Sequence, residues 1–129
     1  MSRTSALMSR FGTLLALLLV AAPAAHAQST WKGHFTSNSQ QKEIDVVVTM
    51  AADKSATVNF ETLSCTVMIK PSASGDATAF DVSAPEGGAT GYCNAWVGGT
   101  ATLTDRPDGW KRFRIANKTY AIEFNLMQQ

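Results

Sequence analysis

The chain has 129 residues, of which 45% are hydrophobic, 16% charged and 9% aromatic, and its formal net charge is +1. That is the length of one domain. The near-neutral balance excludes a strongly basic nucleic-acid binder, and the ordinary apolar content excludes a disordered chain. Two histidines and two cysteines are too few for a multi-histidine catalyst or for a metal centre built on such ligands.

Residues 1–27 read as a signal peptide. Arg3 and Arg10 form a positive segment with no acid near it, and residues 11–22 are apolar around Leu14-Leu15-Ala16-Leu17-Leu18-Leu19-Val20. This stretch is shorter than the roughly 20 apolar residues that a membrane helix needs. Pro23 ends it, and Ala25-His26-Ala27 has the small-x-small pattern of a signal peptidase site, leaving Gln28 first. Ala22-Pro23-Ala24 is a second, poorer fit. No cysteine follows the apolar run, so no lipid anchor is expected. The mature chain then carries nine basic and ten acidic groups, with His34 as its single histidine. Its expected place is the periplasm or the extracellular medium.

In such an oxidising compartment Cys65 and Cys93 are the one pair available for a disulfide. The bridge closes a loop of about 29 residues and contributes about 3.6 kcal/mol on the chain-entropy account. A reactive thiol or a metal ligand is the alternative, but no CxxC spacing and no nearby histidine supports either.

After Gln28 the apolar residues alternate with period two, the mark of half-buried strands. Trp31, Gly33 and Phe35 open the domain on one face, which turns His34 to the other. Ile44, Val46, Val48 and Met50 follow on even numbers, and residues 51–55 read as a turn. Val58 and Phe60 stay even, whereas Leu63, Cys65, Val67 and Ile69 are odd. That change of parity near Glu61-Thr62 requires a bulge or a turn. Residues 71–76 form a loop on composition, and a short strand follows around Phe80 and Val82. Residues 85–91 contain three glycines and a proline and look the most pliable. Strand character returns over residues 92–97, is interrupted at Gly98-Gly99, and resumes through Thr100, Thr102 and Thr104. Asp105-Arg106-Pro107-Asp108-Gly109 is a turn, with proline fixing φ and glycine accepting a left-handed conformation. Strands over 110–115 and 119–126 form a hairpin, with Tyr120, Ile122, Phe124 and Leu126 sharing a face. The reading is an all-β domain over residues 28–129, an antiparallel sandwich or small barrel of eight or nine strands.

The order Trp31-x-Gly33, then Cys65, then Gly91-Tyr92-Cys93 and Gly98-Gly99-x-Ala101-x-Leu103 resembles small bacterial periplasmic or secreted β-barrel domains. These begin W-x-G and are stapled by one disulfide, and periplasmic lysozyme inhibitors are among them. The resemblance implies a single-disulfide barrel, an exported location and a binding role, with inhibition of a cell-wall-degrading enzyme as the narrower form.

The sequence points to no catalytic centre and no cofactor. His34 lacks a nucleophile-elbow partner. Glu43 and Asp45 share a strand face about 7 Å apart, within glycosidase spacing, which makes a small hydrolase using either carboxylate a lesser alternative, yet nothing else builds a cleft around them. Asp105 and Asp108 are too sparse for a calcium loop. Trp110, Arg112 and Arg114 are the candidate ligand-contact face, suited to an anion or a sugar through stacking and forked hydrogen bonds. The competing reading is an edge strand whose charges block pairing. Trp96, three residues beyond Cys93, is expected to pack on the bridge, although the three tryptophans also admit a carbohydrate platform. Glu86, Gly87 and Gly88 are the candidate contact loop. The expected partner is a protein or a glycan, not nucleic acid. A barrel holding a small apolar ligand is a further possibility.

Overall fold

A computed structural model describes residues 28–129, so the leader read at residues 1–27 lies outside the described residues. The strands are β1 (Ser29–Ser37), β2 (Lys42–Met50), β3 (Ala56–Phe60), β4 (Cys65–Pro71), β5 (Ala79–Ser83), β6 (Thr100–Asp105), β7 (Lys111–Ala116) and β8 (Ala121–Gln128). Each pairs antiparallel with the next and β8 returns to β1, which closes an eight-stranded barrel.

The opening W-x-G has a structural cause. β1 and β8 meet over three register pairs, Trp31 with Gln128, Lys32 with Met127 and Gly33 with Leu126. A Cβ on Gly33 would lie 2.3 Å from the backbone oxygen of Asn125, so only glycine lets the seam close. Beyond Gly33 the strands diverge, and Phe35 stacks on Phe124 with ring centres 5.2 Å apart. Trp31 is buried at the adjoining end of the barrel, with the Lys111 ammonium 4.9 Å above its ring.

The parity change resolves as a turn. A 3-10 helix (Glu61–Leu63) ends on Ser64 at φ 53°, and the chain reverses into β4, which pairs with β3. Phe60 and Cys65 therefore both face inward, although their numbers differ in parity.

Residues 92–97 are not a strand. Gly91–Trp96 is a 3-10 helix, and the strands number eight. A 3-10 helix has three residues per turn, so Cys93 and Trp96 eclipse one another and are both buried. The alternation read there has an i, i+3 cause. Tyr120 also departs from the face expected for it. It is 67% exposed in the turn before β8, where its amide donates to Asn117 Oδ1 at 2.7 Å, while Phe124 and Leu126 are buried.

Cys65 and Cys93 are joined, tying the 3-10 helix to the start of β4. Trp96 is 3% exposed in that corner. Edge, stacked or tilted ring contacts run from Phe113 through Phe124, Phe35, Phe60 and Tyr92 to Trp96, from one side of the barrel to the other. Side chains fill this interior. The outward face carries Lys32, His34, Asp45, Arg112, Arg114 and Glu123, which lipid-facing strands would not tolerate at mid-membrane. Among the described residues no helix is long and apolar enough to cross a membrane. The disulfide fits a periplasmic or extracellular protein.

Candidate binding surface

Closure pairs β7 on both sides, so charge-blocking of an edge does not explain the outward arginines. Arg112 donates to Glu123 Oε1 at 2.8 Å across β7 and β8. Arg114 is exposed on the same wall, in register with Glu123 and with Thr102. Neither arginine lines the concavity that Trp110 enters.

That concavity has a volume of about 360 Å³ on the outer wall, where β1, β2 and β8 present His34, Asp45 and Asn125 beside Trp110. Trp110 is 39% exposed and Met127, which also lines it, is 48% exposed. The turn before β7 fixes the backbone of Trp110. The Arg106 amide donates to the Trp110 carbonyl at 2.9 Å, and the Gly109 amide donates to the Arg106 carbonyl at 3.1 Å. Gly109 has φ 88°, the left-handed conformation expected of a glycine in this turn. The Trp110 amide donates to Asp108 Oδ1 at 3.1 Å, and the Arg106 guanidinium straddles the Asp108 carboxylate at 3.1–3.3 Å. Arg106, with help from the Trp110 amide, holds the Asp108 carboxyl below the ordinary carboxylate range. At the other end of the turn, the hydrogen bond from Lys111 does the same for Asp105.

Arg106 also reaches across to β8. Its Nη1 donates to Asn125 Oδ1 at 3.3 Å, which leaves the Asn125 amide N–H groups as the free end of that side chain. The Asp45 amide donates to Thr62 Oγ1 at 2.8 Å, drawing the Glu61–Leu63 helix, and Glu61 with it, to the rim. Among the described residues the Asp45 carboxylate makes no ion pair and accepts no hydrogen bond. His34 Nε2 stands 3.8 Å from Glu43 Oε1 on the outer wall, with both side chains in solvent. The two carboxylates share the outward face of β2, as the alternation predicts. Asp45 is in register with His34 and lines the concavity with Trp110, whereas Glu43 is in register with Thr36 and lines the neighbouring hollow at the first hairpin.

Glu86, Gly87 and Gly88 occupy an exposed tight turn in which the Gly88 amide donates to the Pro85 carbonyl at 2.8 Å. Gly87 and Gly88 have φ values of 90° and 93°, so the turn depends on glycine. It hangs between β5 and the 3-10 helix that carries Cys93. Among the described residues no group of three or more histidine, cysteine, aspartate or glutamate side chains is placed to hold a metal ion.

The residues missed by the sequence reading are Arg106, Asn125 and Met127. The alternation of β8 marks Asn125 and Met127 as outward, but their neighbourhood with His34 and Asp45 exists only because the last strand closes on the first. Comparison with protein-family models, with curated proteins and with solved structures finds no match for this chain.

Proposed function

We propose that this protein is an exported, non-catalytic binding protein that engages a partner, protein or glycan, through the outer-wall concavity beneath Trp110. The observation that carries the reading is a part-exposed tryptophan, its backbone fixed in the turn, that lines one concavity with the unpaired Asp45 carboxylate and the Asn125 amide. Exposed tryptophans are enriched at contact sites because a large rigid ring buries much area at little entropic cost. The signal-peptide pattern and the disulfide support export. Solvation of the His34–Glu43 pair favours binding over acid–base chemistry, which profits from burial. Amide shift mapping of the labelled protein against lysozyme and soluble peptidoglycan fragments tests the reading. Shifts centred on Trp110, His34 and Asn125 are expected, and a silent concavity with every partner overturns it.

The second reading is inhibition of a cell-wall-degrading enzyme through the turn at Glu86, Gly87 and Gly88. What favours it is that this exposed turn is anchored by β5 on one side and by the disulfide-tied helix on the other, so little order is lost on insertion. Lysozyme turnover slowed by the protein, and restored when residues 86–88 are replaced, is the expected result. Undiminished turnover at saturating protein removes this reading.

A further inference from the structure

We propose that the concavity beneath Trp110 is a saccharide site: the indole stacks on the apolar face of an uncharged pyranose while Asp45, Asn125 and His34 hydrogen-bond its hydroxyls. The inference rests on the reading of this concavity as the contact surface and names its ligand.

Three observations select this chemistry. The first is charge. The lining carries one lysine, Lys32, against two carboxylates, Asp45 and Glu61, so the wall has no cationic excess. The two nearby guanidiniums are already held, Arg106 by Asp108 and Arg112 by Glu123. An anion would find no free fork.

The second is the pattern of free polar groups. Asp45 offers only acceptors. Asn125 has its oxygen taken by Arg106 and offers two N–H donors from the same wall. A sugar hydroxyl donates and accepts at once, so neighbouring hydroxyls satisfy an acceptor-only carboxylate and a donor-only amide together. A fatty acyl chain would bury these groups without partners, which is costly for the amide and far more so for an ionised carboxylate.

The third is shape. A concavity of about 360 Å³ lies at the small end of the ligand-site range of roughly 300–1,000 Å³. It lies open on the wall, which leaves the outer hydroxyls of a sugar in water. The backbone that carries the indole is bonded to Arg106 and Asp108 before any ligand arrives.

The test uses the exported, disulfide-bonded, isotope-labelled protein and follows amide and indole N–H resonances. Triacetylchitotriose and cellotriose are the uncharged probes, inorganic phosphate the anionic one and lysozyme the protein one. The expected result is that at least one saccharide moves the Trp110 indole and the Asn125 side-chain amide, leaves the Trp31 and Trp96 indoles in place, and binds equally well as salt is raised. Trp110→Ala and Asp45→Asn each weaken that binding by about tenfold or more. Asp45 is exposed and its carboxylate unpaired, so the second variant keeps the fold if the first does not. Phosphate shifts without saccharide shifts overturn the proposal. Lysozyme shifts on the same residues with both saccharides silent overturn it while leaving the binding surface standing. Silence from all four probes overturns both readings.

Discussion

Three tryptophans meet three fates, and each follows from its neighbours. Trp31 caps one barrel end under the Lys111 ammonium, Trp96 is buried beside the disulfide corner, and Trp110 stands on the outer wall. Truncating the second should open a cavity: Trp96→Ala lowers unfolding free energy by about 3–5 kcal/mol in a denaturant titration. Trp110→Ala lowers it by less than about 1 kcal/mol, because little packing is lost at an exposed turn. Equal losses for the two variants would contradict the assignment. At the seam, Gly33→Ala forces a methyl against the Asn125 carbonyl, a contact of 2.3 Å with backbone that cannot swing aside. It should cost about 3 kcal/mol, the upper part of the overpacking range. Sequence periodicity puts Trp31 and Gly33 on the inward face, and that much is legible from residue numbers. That Gly33 must be glycine is not legible, because the atom that excludes a side chain belongs to residue 125.

At the scale of elements, the turn before β7 and the disulfide-tied helix carry the sharpest expectations. Asp105 and Asp108 have carboxyls held below their ordinary range by Lys111 and Arg106 respectively. A depressed folded value means that their contribution is complete above the unfolded aspartate value of about 3.9 and is lost as pH falls through the lower folded values. Amide resonances of residues 105–110 should therefore hold steady from neutral pH to about pH 4 and move only below it. Asp108→Asn should remove the part of this acid transition centred on Trp110. Reducing the Cys65–Cys93 bridge should lower the melting temperature by about 15 °C, taking about 3.6 kcal/mol for the loop it closes. Two free thiols on mass labelling of the exported protein would end that expectation. The sequence reading of residues 92–97 fails because six residues of mixed apolar character fit period two and period three alike. The disulfide decides between them: it draws Cys93 into the core and leaves Trp96, one 3-10 turn later, no other direction.

Over the whole molecule, the closed barrel settles what its interior can do. The ring contacts from Phe113 to Trp96 cross the space in which an apolar ligand would lie. A fluorescent fatty acid should therefore show no saturable binding, and a stoichiometric complex would require the core to open. Composition, length and alternation determined by themselves that this is one all-β domain with Cys65 and Cys93 available to each other. Those are local properties, read along one strand at a time or from a count of residue types. The β1–β8 seam, the loss of a sheet edge, and the meeting of Trp110 with His34, Asp45 and Asn125 were decided only by tertiary structure. The reason is that strand alternation states which face a residue takes and nothing about which strand lies beside it, and closure brings the two ends of the chain into the same wall.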